Sequence, residues 1–197
     1  MKKYFVVALM ALLAGFALTF QSCKGDPDPC EEVVCQNAGT CNEGNCECPE
    51  YYFGEVCEDK CVSGTYTNGV CDCKIGYEGT TCETQMREKY LGSWTVFEEC
   101  FNPPSEYPTY NMQIDISTEG VLNFVIDNFQ GEASTPIVLC LVDQNNSSQF
   151  VIEEQDYGQN GQKIDGTGSF NAAGDTITID YKVTFSNGAD ICRMKLY

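Results

Sequence analysis

Six cysteines lie within twenty-eight residues, at Cys30, Cys35, Cys41, Cys46, Cys48 and Cys57, spaced C-x4-C-x5-C-x4-C-x-C-x8-C. A thiol can serve as a nucleophile, a metal ligand or half of a disulfide, and its surroundings separate these roles. Zinc sites usually use paired C-x2-C knuckles, which this spacing lacks. A segment this short also has too little apolar surface to offset its own chain entropy, so crosslinks must hold it together. The reading is therefore disulfides formed in an oxidising compartment, although spacing alone leaves all fifteen pairings of six cysteines open. Cys61, Cys71, Cys73 and Cys82 follow at once, and Cys71-Asp-Cys73-Lys-Ile-Gly76-Tyr77-Glu-Gly79-Thr-Thr-Cys82 repeats the back half of the first group. Cys23, Cys100, Cys140 and Cys192 stand apart from both groups.

Other chemistry is scarce. The chain has no histidine, hence neither the commonest general base nor the commonest metal ligand. The carboxylates Glu98, Glu99, Glu153 and Glu154 are what an enzyme would have to use. Adjacent acids on a strand usually send one member to solvent, and no nucleophile or second motif accompanies them. No catalytic residue, cofactor or metal is expected, and the chain is read as a non-enzyme. The formal charge is −18, and without Lys2 and Lys3 nine basic residues face 29 acidic ones. Nucleic acid and bare anionic membrane are poor partners for such a surface.

The elements that carry these residues can be read in order. Met1-Lys2-Lys3 is basic and Tyr4 to Phe20 is apolar apart from Gly15 and Thr19, the pattern of a signal peptide over residues 1–22. A membrane-spanning helix is the competing reading, and the sequel decides against it. Phe20-Gln21-Ser22-Cys23 resembles the lipobox of bacterial lipoproteins of the Bacteroidetes type, which implies lipidation of Cys23. Lys24-Gly-Asp26-Pro-Asp28-Pro29 is similar to the tether that directs such proteins to the outer cell surface. The resemblance implies a lipid anchor in the outer membrane with residues 23–29 as an extended spacer.

Cys35-Gln-Asn-Ala-Gly-Thr-Cys41, followed by Cys46-Glu-Cys48 and Gly54-Glu-Val-Cys57, resembles an EGF-like module over residues 30–58. That resemblance implies Cys30 paired with Cys41, Cys35 with Cys46, and Cys48 with Cys57. The repeat over residues 59–83 resembles a truncated module lacking the first bridge, which implies Cys61 with Cys71 and Cys73 with Cys82. The short spacer between the modules predicts that they stack as a rod. Calcium is not expected in the first module, because Pro29 stands where a ligand oxygen is wanted and the Cys41 to Cys46 gap is short.

From residue 84 to 197 the pattern changes to strands. Gln85 to Leu91 reads as a short helical turn, followed by a strand from Gly92 through Glu98 to Cys100. Met112, Ile114 and Ile116 alternate with polar residues, as do Leu122, Phe124 and Ile126. Ile137 to Val142 is apolar on both faces, Phe150 and Ile152 lie in the next run, and Lys163 to Phe170 is polar and broken by glycine. Thr176 to Phe185 puts Ile177, Ile179, Tyr181, Val183 and Phe185 inward before the hairpin signal Ser186-Asn187-Gly188, and Ala189 to Tyr197 is last. Eight antiparallel strands in succession can close into an up-and-down barrel, which removes exposed edges. The fold class is mainly β: two small disulfide-rich modules, then an eight-stranded antiparallel barrel.

Gly92-Ser93-Trp94 at the head of that meander resembles the Gly-x-Trp of lipocalins and their calycin relatives. In that family the tryptophan plugs one barrel end beneath an arginine of the last strand. Arg193 is the only candidate, although inward-facing Cys192, Met194 and Leu196 turn it outward. Closure makes the first and last strands neighbours, so Cys100 and Cys192 are expected to form a bridge across the seam, with Cys140 as a buried free thiol. The functional expectation is a surface-exposed, lipid-anchored binding protein whose EGF-like stalk presents the barrel to a small hydrophobic ligand or an extracellular protein. The alternative is a structural or adhesive lipoprotein with a solid barrel.

Overall fold

The computed structural model describes residues 27–102, 104–131, 136–158 and 161–197. The signal segment, the Cys23 junction and most of the tether lie outside these residues. The chain divides into two compact units, one ending with the first module, the other holding the second module and the barrel.

In the first module the strands β1 (Thr40–Asn42) and β2 (Asn45–Glu47) form a hairpin, and bridges join Cys30 to Cys41, Cys35 to Cys46 and Cys48 to Cys57. Two short strands, β3 (Tyr52–Phe53) and β4 (Asp59–Lys60), follow. The second module is built on the hairpin of β5 (Gly64–Thr67) and β6 (Val70–Cys73), with bridges Cys61–Cys71 and Cys73–Cys82, and ends in β7 (Tyr77–Glu78) paired with β8 (Thr84–Gln85). The repeat extends to the backbone. A Cβ on Gly39 would lie 2.6 Å from the Cys57 sulfur and one on Gly64 2.9 Å from that of Cys82, so each module needs glycine against its last bridge.

A 3-10 turn at Glu88–Tyr90 leads into the barrel strands. These are β9 (Gly92–Asn102), β10 (Pro104–Glu106), β11 (Tyr110–Ile116), β12 (Asn123–Asp127), β13 (Val138–Asp143), β14 (Asn146–Asp156), β15 (Lys163–Phe170), β16 (Ile177–Phe185) and β17 (Gly188–Leu196). β10 and β11 pair with successive halves of β9 on the same side, so they act as one interrupted strand. With β17 returning to β9, eight antiparallel strands close the barrel. Cys100 and Cys192 are direct register partners at this seam, 4.0 Å apart at Cα, and they are bonded.

Side chains fill the interior. Tyr90, Phe124, Phe150 and Phe170 cluster at one end, with ring centroids about 5 Å apart, and Trp94 closes on Phe170. Met112, Ile114, Ile126, Ile164, Ile177, Ile179 and Met194 occupy the middle and are fully buried. The polar strand β15 makes room for them. Its inward positions include Gly166 and Gly168, and a Cβ on Gly168 would lie 2.0 Å from the Phe150 ring, while one on Gly166 would lie 2.8 Å from Tyr181 Cβ. Small residues on one strand thus admit large ones from its neighbours, as a narrow barrel requires.

Two expectations need correction. Ile116 does not continue the inward face of Met112 and Ile114: it is 56% exposed and Ser117 is buried instead, because alternation breaks as β11 ends at its turn. Glu153 and Glu154 are both exposed, since a bulge between Ile152 and Gln155 resets the alternation that would have turned one inward. Arg193 turns outward, as inward-facing Cys192, Met194 and Leu196 require. Arg193 lies on the outer wall, bonded to Asp180 at 2.6 Å, whereas Arg87 is buried and donates to the carbonyls of Ser117, Gly120 and Asn123 at 2.7–2.8 Å.

Candidate functional site

Two places on the barrel concentrate polar groups, one inside and one on the wall. The inner one begins with Glu98, whose position on β9 has the parity of buried Val96 and Cys100, and whose side chain is fully buried. Tyr110 Oη donates to Glu98 Oε2 at 2.7 Å and Tyr181 Oη donates to Oε1. Gln130 Nε2 donates to Tyr181 Oη at 3.0 Å, and Tyr157 Oη donates to Gln130 Oε1 at 2.9 Å. Burial, reinforced by the Glu98 charge, pushes the Tyr110 and Tyr181 hydroxyls well above the ordinary phenol range. They remain donors at any physiological pH. Gln130 reaches this network from the turn Phe129–Gly131; Asn128 before the turn and Gln130 within it both hold positive φ (58° and 62°), and Phe129 packs against Tyr157 and Tyr181. Each network oxygen and nitrogen is thus turned toward another member, which is how a closed structural network is built.

The remaining chemical candidates are bonded, buried or paired with a neighbour. Glu98 lies close to the sulfurs of Cys100 and Cys192, the one such grouping among the described residues, but those sulfurs are bonded to each other and offer no thiolate. Cys140 is buried, and desolvation raises its thiol pKa, so it rests as an apolar side chain on the inner face of β13. Glu99 is half-buried and faces Arg193 across the seam.

On the wall, two shallow grooves of about 300 and 430 Å³ meet at Thr167 and Asp180, which are register partners on β15 and β16. The first reaches Asp143, Gln149, Val151, Ser169 and Thr178, and the second reaches Asp165, Lys182 and Ile191. The charges are paired across strands: Lys182 Nζ stands 3.1 Å from Asp165 Oδ1, and Arg193 Nε donates to Asp180 Oδ1 at 2.6 Å. Strand alternation at Thr176 to Phe185 already turned Asp180 and Lys182 outward. What it could not supply was the neighbouring strands' register, which makes them one surface.

Comparison with known proteins agrees with the modular reading at its N-terminal part. Residues 27–57 match the family model of the EGF-like domain. Over 36 residues the chain is 44% identical to a cubilin homolog of Caenorhabditis elegans, a stretch that is 16% of this chain and 1% of that protein. No solved structure matches the chain. The chain therefore carries an EGF-like module with disulfide-rich hairpins and an eight-stranded barrel, and the disulfides mark it as extracellular.

Proposed function

We propose that this chain is a lipid-anchored, non-enzymatic recognition protein of the outer cell surface, in which the barrel binds through its outer wall and not through an internal cavity. The observation that carries this reading is the filled interior: the Phe150 ring lies against the Gly168 backbone, and Glu98, Tyr110, Tyr181, Gln130 and Tyr157 bond to one another. A ligand inside would have to displace both. The wall, by contrast, offers open grooves lined by polar groups at fixed register. The calycin likeness at Gly92-Ser93-Trp94 then describes the barrel's construction, with Trp94 Nε1 donating to the Tyr90 carbonyl at 2.8 Å, and does not extend to that family's internal ligand site.

Anchoring rests on Ser22-Cys23 behind the signal segment, and surface display on the Lys24 to Asp28 tether. Metabolic labelling with a fatty-acid probe is expected to mark the wild-type protein and not Cys23→Ala; equal labelling of both overturns the anchor. Proteinase added to intact cells is expected to remove the protein. Survival of the protein while known surface proteins are digested would place it elsewhere.

A further inference from the structure

We propose that the outer wall across β14–β17 is a binding groove for a neutral oligosaccharide, an inference that rests on the wall being the recognition surface. The first argument is charge. In a chain of formal charge −18, Asp165 pairs with Lys182 and Asp180 with Arg193, which leaves Asp143, accepting from the Asn145 backbone N–H, as the lining carboxylate outside an ion pair; a polyanion is repelled, and this single carboxylate can accept from a hydroxyl of a neutral ligand. The second is hydrogen-bonding type. Thr167, Ser169 and Thr178 supply hydroxyls that both donate and accept, and Gln149 supplies an amide that does the same. A ligand suited to such a lining carries many groups that also donate and accept, as sugar hydroxyls do.

Apolar spots complete the fit. Val151 (37% exposed) and Ile191 (49%) offer contact to the C–H face of a sugar ring, and the wall continues onto β9, where Phe97 and Phe101 are exposed and the Arg193 guanidinium lies 6.0 Å from the Phe101 ring. The four strands from β14 to β17, spaced about 4.8 Å, give a groove of roughly 14 Å, room for a few linked rings. An extended peptide fits this surface less well. Each of β14 to β17 is paired on both sides, so a peptide backbone finds no free strand edge on this wall and its amides would lie unpaired.

The test is a titration of the isotope-labelled, disulfide-bonded protein with cello-, xylo- and manno-hexaose and a heparin hexasaccharide, followed by backbone amide shifts. The expected result is saturable shifts at Thr167, Ser169, Thr178 and Asp180 with at least one neutral hexasaccharide and none there with heparin. Thr167→Trp, which fills the junction of the grooves from an exposed position, is expected to weaken that binding at least about tenfold, and Thr167→Ser to retain it. No neutral hexasaccharide shifting these amides, or heparin alone shifting them, overturns the proposal while leaving the filled barrel intact. Shifts confined to inward residues would instead overturn the outer-wall reading on which it rests.

Discussion

At the scale of single residues, Glu98 bears most on the barrel's interior. Removing one tyrosine hydroxyl beside it leaves a buried carboxylate oxygen without its donor, so Tyr110→Phe or Tyr181→Phe is expected to destabilise by about 1–3 kcal/mol, measured by urea unfolding. A change below a few tenths would mean that the network is not closed as described. The same residues set a pH limit. Burial raises the phenol pKa of Tyr90, Tyr110 and Tyr181, and for the last two the Glu98 charge adds to it. A group whose folded pKa lies above its unfolded value contributes stability that is fully present below the unfolded pKa, near 10 for tyrosine, and is lost as pH rises beyond it. Tyrosinate absorbance is therefore expected to rise in two steps, exposed phenols first and these three only as the barrel unfolds. A single smooth titration of every tyrosine before any loss of circular dichroism would contradict it. Glu98 could have been read from the sequence, because an inward Cys100 fixes the parity of β9 and turns Glu98 inward with it. Arg87 could not, since its acceptors are backbone carbonyls 30, 33 and 36 residues away, and nothing local marks them.

At the scale of elements, β15 and the lead-in to the barrel have the most to explain. A Cβ at position 168 would overlap the Phe150 ring, so Gly168→Ala is expected to cost about 1–3 kcal/mol by overpacking, and Phe150→Leu in the same chain to recover part of it. Equal destabilisation of single and double variants would separate the two residues. The second module is tied to the barrel through Glu78, which accepts from Ser147 Oγ at 2.6 Å and pairs with Lys89 at 2.8 Å, and through Gly76 packed on Val121. Partial burial raises the Glu78 carboxyl, but Lys89 and Ser147 outweigh it and the net shift is downward. Such a group stabilises above its unfolded pKa and loses that contribution as pH falls through the lower folded one. Protection factors of the amides at Tyr77–Gln85, corrected for the intrinsic pH dependence of exchange, are expected to fall in acid in the wild type and to lose that dependence in Glu78→Gln. The strands themselves were legible because apolar residues alternate along them. Where bulges and turn ends reset the period, at Ile116 and at Glu153–Glu154, alternation misled, since it carries no information on register shifts.

At the scale of the whole molecule, cysteine spacing and strand alternation together made the modular order readable. What they could not tell was whether the barrel is hollow. That depends on how Gly166 and Gly168 face Tyr181 and Phe150, a matter of pairing between strands far apart in sequence. The filled interior is the claim on which the function turns, and methyl resonances report it directly. In the disulfide-bonded protein titrated with palmitate, the methyl signals of Met112, Ile114, Ile126, Ile179 and Met194 are expected to stay unshifted. Saturable, one-to-one shifts of those five residues would show a ligand inside the barrel and contradict the account.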